Sequence, residues 1–312
     1  MAGCCVGRVM TMASCLACAA CGLAHADQRD APSVPFRLPG ERADGADSLP
    51  RYFQSASPPA PEASGAGPHD HEDLAKQLQN PVASLISVPF QYNVDFNAGA
   101  DEDGTRHTLN IQPVVPFSIS DDWNLIVRTI MPVIYQDGIV GDGGSTQFGF
   151  GDITQSFFFS PKAKGPGGAI WAVGPVFLWP TGTNDSLGSE QWGIGPTGLV
   201  LWQKGPWTYG ALANHIWSYT GDDDRADLSN TFLQPFFSHT NNKAFTVGIN
   251  MESTYDWTNS QWTIPINVFA SQVLPIAGHP TSFTLGARYY AEGPDGTPEW
   301  GLRFVVTLLF PK

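Results

Sequence analysis

The stretch KAFTVGINMESTYDW, residues 243–257, confines the chain to very few folds. From Phe245 every second residue is Phe245, Val247, Ile249, Met251, Ser253, Tyr255 and Trp257. Between them stand Thr246, Gly248, Asn250, Glu252, Thr254 and Asp256. Side chains two apart share one face of a strand, so one face is apolar with aromatic tips and the other is polar and acidic. The same period of two recurs along the chain. Val88, Phe90, Tyr92, Val94 and Phe96 alternate with Gln91, Asn93 and Asp95, and Leu109 and Ile111 alternate with Thr108, Asn110 and Gln112. Trp123, Leu125, Val127, Met131, Val133 and Tyr135 share a phase opposite Arg128. Further strands are predicted near 152–160, 169–180, 192–203, 207–219, 231–239, 244–257, 261–273, 282–291 and 300–310, which makes about twelve.

The connections sort by length. AGADEDGTR, QDGIVGDGGSTQFGFG, TGTNDSLGSEQ, TGDDDRADLSN and EGPDGTPE are long; SDD, PKAKGPGG, KGP and TNNK are tight. Long and short alternate except at TNSQ, and the long ones carry most acids while Lys162, Lys164, Lys204 and Lys243 sit in short turns. Transmembrane barrels are threaded in this way, with longer loops outside and short periplasmic turns.

Tryptophan placement sharpens the reading. Trp192 and Trp202 are ten residues apart on one strand, and so are Trp207 and Trp217 on the next. Ten tilted residues cover roughly 25 Å along a membrane normal, the height of a barrel's apolar band with an aromatic at each interface. Trp257 and Trp262 belong to the same set of interface aromatics. A soluble sandwich would hold its aromatics in mid-strand. The expectation is an all-β chain: an antiparallel up-and-down transmembrane β-barrel, closed because a sheet edge in lipid would leave amides unpaired.

Charge and composition agree. Sixteen Lys and Arg face twenty-nine Asp and Glu, for a formal charge of −13, which argues against a nucleic-acid partner. MAGCCVGRVMTMASCLACAACGLAHA reads as a signal peptide, with Arg8 ahead of a small apolar stretch and an Ala24-His25-Ala26 cleavage pattern. All five cysteines lie inside it, so the mature chain has neither disulfides nor thiol chemistry. Cleavage as a lipoprotein at Cys21 would place Cys18 at −3, a poor residue there. The expected organisation is a signal peptide at 1–26, a flexible periplasmic linker at 27–71, a short helix at 72–83 stopped around Pro81, and a barrel at 84–312. The HDHED run at 69–73 reads as solvated charge in that linker.

Several segments carry a family resemblance: LAKQLQNPVASLISVPFQYNVDF, FGFGDITQSFFFSP, QWGIGPTGLVLWQKGPWTYGALANHIWSYTGD, NTFLQPFF and WGLRFVVTLLFPK. Together they resemble bacterial outer-membrane barrels described as MetA-pathway phenol-degradation proteins, some labelled "neuromedin U". The resemblance spans residues 74–312 and implies passage of small molecules, aromatic or hydrophobic compounds among them, across the outer membrane. It brings no catalytic motif. One departure is that Phe310 is followed by Pro311-Lys312, which displaces the terminal aromatic of the assembly signal.

The inward phase predicts lumen-lining groups at Asp95, Arg128, Asp152, Glu252, Asp256, Arg288 and Arg303, because Arg or Lys facing lipid at mid-depth costs about 2–4 kcal/mol. Such groups either select a solute at a constriction or brace the wall. The implied partners are outer-membrane lipid and lipopolysaccharide, a small-molecule solute, and the barrel assembly machinery during biogenesis. No cofactor, metal or catalytic residue is expected. GDDDRAD lacks the spaced ligands of a calcium loop, GIGPTG precedes no helix, and His215 and Ser218 lie in opposite phases of one strand. The alternative function is a closed structural or surface-interaction barrel acting through its acidic extracellular loops; a soluble sandwich is the third reading.

Overall fold

A computed structural model describes residues 68–140 and 145–311, with side chains from residue 71 onward. The expected signal peptide and nearly all of the expected linker lie outside the described residues. Helix α1 spans Pro68–Leu78, so it begins inside the stretch read as linker and ends ahead of the predicted 83. The strand segments follow in chain order as β1 Ile86–Ala98, β2 Gly104–Ile111, β3 Val114–Ser118, β4 Trp123–Val140, β5 Ser145–Phe150 and β6 Ile153–Pro161. Next come β7 Ile170–Trp179, β8 Gln191–Lys204, β9 Trp207–Gly221, β10 Ser229–Thr240 and β11 Phe245–Met251. The last are β12 Ser253–Asp256, β13 Gln261–Thr263, β14 Pro265–Ile276, β15 His279–Tyr290 and β16 Trp300–Phe310.

These sixteen segments form one antiparallel sheet whose ends meet. β1 pairs with β16 from Ile86↔Phe310 to Phe96↔Trp300, and β10 pairs with both β9 and β11. Four staves are built from two segments each (β2 with β3, β5 with β6, β11 with β12, β13 with β14), which gives a closed twelve-stave barrel.

Proline explains where the staves break. A proline has no N–H to give the ladder. Pro113 separates β2 from β3, with Gln112 N donating to Pro89 O at 2.9 Å to keep the sheet joined. The β5–β6 break lies opposite Pro132, whose carbonyl accepts Gly151 N at 3.0 Å. The β11–β12 break at Glu252 lies opposite Pro265, whose carbonyl accepts Glu252 N at 3.1 Å.

The barrel is inverted relative to a water-soluble domain. Phe245, Val247 and Ile249 are 38%, 44% and 43% exposed, while Thr246 between them is 0% exposed. Asn93, Gln136, Asn267, Ser282 and Thr307 are buried, whereas Phe90, Phe237, Leu285 and Phe304 are exposed. A continuous apolar outer face of this kind cannot rest in water, and closure removes the edges that would prevent it resting in lipid.

One loop expectation is corrected. The stretch read as a long loop after the third strand is largely hairpin: β4 runs on to Val140 and pairs with β5 through Tyr135↔Phe148 and Gln136↔Gln147. The polar Gln136–Gln147 pair, joined Nε2 to Oε1 at 3.1 Å, continues the inner face past the apolar band.

At the short-turn end, α1 lies inside the mouth. Leu74, Ala75 and Leu78 pack with Ala83, Leu85, Ala244, Val273 and Leu309. Gln203 Nε2 donates to the Lys76 carbonyl at 2.8 Å, fixing the helix to the wall. Pro81 then turns the chain, the Asn80 side chain accepts Val82 N at 3.1 Å, and Val82 enters a cluster with Ile126, Phe158, Leu199, Leu201 and Leu212. Residues 68–85 therefore form a plug continuous with β1.

Close strand approach accounts for Gly195 but not for Gly198. A Cβ on Gly195 would collide with the His215 carbonyl of β9, whereas one on Gly198 would meet Ala172 O at 3.5 Å, an ordinary contact. Gly195→Ala should therefore destabilise the barrel by about 1–3 kcal/mol, and Gly198→Ala by about 0.5 kcal/mol or less. Urea-unfolding midpoints of the two refolded variants in lipid vesicles check this contrast.

Candidate functional site

The inner wall has two unlike halves. From β4 to β10 its short-turn end is apolar: Ile126, Phe158, Ala172, Leu199, Leu201 and Leu212 are buried against Val82, with Phe232 and Phe236 beside them. The polar inner face read from residues 243–257 does not extend to this arc. The other half, carried by β1, β2, β15, β16 and the β11–β12 break, is charged.

Glu252 organises that charged half. Its carboxylate receives Arg303 Nη1 at 2.9 Å and Nη2 at 2.7 Å, a bidentate pair. It also receives Arg288 Nη2 at 3.0 Å. Arg303 Nε donates to Asn93 Oδ1 at 2.8 Å, and Arg288 Nε to Asn267 Oδ1 at 2.9 Å. Arg288 Nη1 reaches Asp95 Oδ2 at 3.4 Å and the Tyr290 hydroxyl at 3.2 Å. Glu252 and Arg303 stand three staves apart, so their pairing is a chord across part of the bore rather than a contact along the wall. Bidentate guanidinium–carboxylate geometry fixes direction as well as charge. Gly301, opposite Asp95 in the register, leaves the space that a Cβ would contest with Asp95 Oδ1.

Of the seven groups expected in the lumen, the structure brings together Asp95, Glu252, Arg288 and Arg303. Arg128 faces the same bore from β4 and donates Nη2 to Gln112 Oε1 at 3.1 Å. Asp152 and Asp256 do other work, and their expected role is corrected. Asp152 accepts Gly182 N at 3.0 Å, with Ser189 N and Ser189 Oγ both at 2.6 Å, so it clasps the 180–190 loop. Asp256 caps the hairpin at 257–260, accepting Thr258 N at 2.8 Å and Asn259 Nδ2 at 2.7 Å. The strand phase assigns a face but not a height, and both carboxylates stand where a strand ends. Arg106 was missed. It pairs with Asp95 in the β1–β2 register and so shares the inner face, but GTR had been read as loop.

Among the described residues, two cavities lie along the bore. The lower, about 240 Å³, lies against the plug residues Leu78, Asn80, Pro81, Ala83 and Leu85. The upper, about 420 Å³, is lined by Leu212, Asn214, Ile216, Phe232, Asn250 and Glu252 among others. Gln91, Gln112, Arg128 and Gln234 line both, and form the waist between them.

Outside, the aromatics stand at two heights. Trp202 stacks on Tyr209 at 5.8 Å and Trp207 on Phe237 at 5.0 Å at the short-turn end. At the loop end Trp192 meets Trp179 at 5.5 Å, Trp217 meets His215 at 4.1 Å, and Tyr255 touches Trp257 at 4.8 Å and Trp262 at 4.9 Å. His215 Nδ1 shares a hydrogen bond with Thr231 Oγ1 at 2.7 Å, and Ser218 Oγ donates to Asp227 Oδ1 at 3.1 Å, so these two groups belong to separate contacts.

Among solved structures, the COG4313 outer membrane channel from Pseudomonas putida F1 is similar, with a TM-score of 0.57 at 16% identity, covering 72% of this chain and 94% of that one. The β domain of the Bordetella autotransporter Brka, at 13% identity, covers 73% of this chain and 99% of its own with a TM-score of 0.40. That superposition is too loose to support an argument. No protein-family model and no curated protein matches the chain. The likeness is one of fold, a closed antiparallel β-barrel such as that channel has.

Removing the central carboxylate should cost the barrel dearly, because Arg303 would lose its carboxylate partner and Arg288 would keep only the longer contact to Asp95. Glu252→Ala is expected to lower stability by about 3 kcal/mol, the low end for a broken buried pair, since the Glu252 side chain remains 20% exposed to the bore. Adding Arg303→Met should recover part of that loss. Denaturant midpoints of the single and double variants measure both effects.

Proposed function

We propose that the chain is an outer-membrane channel that passes small molecules passively. The observation that carries this reading is the waist: the same four side chains line a chamber above and a chamber below, so the interior is two spaces in series and not a filled core. The amphipathic wall supports a small solute that bears both polar and apolar surface, and the aromatic or hydrophobic compounds implied by the sequence resemblance fall in that range. A barrel edge-closed and apolar outside supports residence among outer-membrane lipid and lipopolysaccharide, reached after signal-peptide cleavage and assembly-machinery insertion. Nothing in this reading calls for catalysis, cofactor or metal.

The plug favours a second reading, a closed barrel with a structural or surface role exercised through its loops. Val82 seals the apolar half of the lower mouth, and loop contacts such as Arg225 Nη2 to the Gly188 carbonyl at 2.6 Å tie the opposite end together. Planar-bilayer recording separates the two. Full-length protein should give small, steady conductance, and deletion of residues 68–83 should raise it severalfold. Silence from both forms, with no solute flux in proteoliposomes, overturns the channel and leaves the structural barrel.

A further inference from the structure

We infer that the upper cavity is a binding site for a small monocarboxylate with a compact apolar body, anchored by Arg128. This rests on the channel reading and names the substrate class for it. Four guanidiniums (Arg106, Arg128, Arg288 and Arg303) share the inner wall with the two carboxylates Asp95 and Glu252, so the belt is cationic in a chain whose formal charge is −13. The cations are not equally engaged. Arg303 gives three hydrogen bonds and Arg288 four, all within the Glu252–Asp95 assembly. Arg128 gives one, to a neutral amide oxygen. It stands on the apolar half of the wall, at the waist, with donors in hand.

The surroundings specify what those donors would meet. A guanidinium is a planar fork that matches a carboxylate in bidentate fashion, and Arg128 keeps that capacity because Gln112 takes only an Nη2 proton. Leu212, Ile216 and Phe232 line the same cavity, giving apolar surface for a ring or short alkyl body. Asn214, Asn230 and Asn250 complete the wall with neutral dipoles. The cavity's volume of about 420 Å³ falls within the range of small-molecule sites. Glu252, held by two arginines, repels a second anion less than a free carboxylate would.

Benzoate and its uncharged isostere benzamide are suitable probes. Calorimetric titration of the full-length protein, folded in detergent, should find benzoate bound at least about tenfold more tightly than benzamide, the difference a charge-assisted pair makes. Arg128→Gln should abolish that preference and Arg128→Lys keep part of it, while Arg225→Gln, at the loop end, should leave it intact. Phe232→Ala should weaken both probes together. Heat-modifiable gel mobility verifies that each variant is folded; should Arg128→Gln fail to fold, Gln112→Glu, which would occupy the guanidinium, must reduce the preference in its place. Equal binding of the two probes, no binding of benzoate, or an unchanged preference in folded Arg128→Gln overturns the site. Benzoate preference that follows Arg128 in a protein without conductance keeps the site and removes the channel; conductance without benzoate preference does the reverse.

Discussion

Backbone hydrogen bonding across the β1–β16 seam is the constraint on which the rest of the molecule depends. Every stave then has a partner on both sides, and no row of N–H and C=O groups is left to be solvated. Only after that condition is met can the outer face carry Phe, Val, Leu and Trp continuously while Asn, Gln, Ser and Thr turn inward. A one-residue slip at the seam would reverse both faces at once, so the register is enforced by all of the side chains together. The breaks beside Pro113, Pro132 and Pro265 do not weaken this, because carbonyls across the gap accept the next available amide.

Within the tube, the division into an apolar arc and a charged arc follows from where the plug lies. Val82 needs hydrocarbon neighbours, and β4 through β10 supply them; on the remaining arc the plug meets Val273 of β14 and Leu309 at the short-turn end of β16, and the ions stand farther along the strands. The charges in turn contract the bore by spanning three staves. A network of this sort is worth more as a spacer than as stability, since the desolvation of its ions offsets most of their attraction.

Much of this was legible beforehand, and the failures have physical causes. Alternation located the staves because one side must meet lipid and the other must not; Phe245 to Trp257 gave the signal without help. Arg106 escaped because β2 begins at Gly104, inside what reads as an acidic loop. The apolar arc escaped because GLVLWQ in β8 is apolar in both phases, and a strand covered on both faces has no period to read. Asp152 and Asp256 had the right parity for the bore, but carboxylates at a strand end are drawn to the nearest free amides. The helix was visible in sequence, whereas its seat inside the mouth required Leu85, Val273 and Leu309 to be seen together.

The partners of Glu252 have a bearing on how such a tube is finished. Its carboxylate comes from the β11–β12 break, yet both of its guanidiniums arrive with the last hairpin, β15 and β16. An unfinished sheet would leave that anion without either of its ion-pair partners. The final hairpin therefore delivers its counter-ions and the missing edge in the same event, and a half-zipped intermediate is penalised electrostatically as well as by its bare amides.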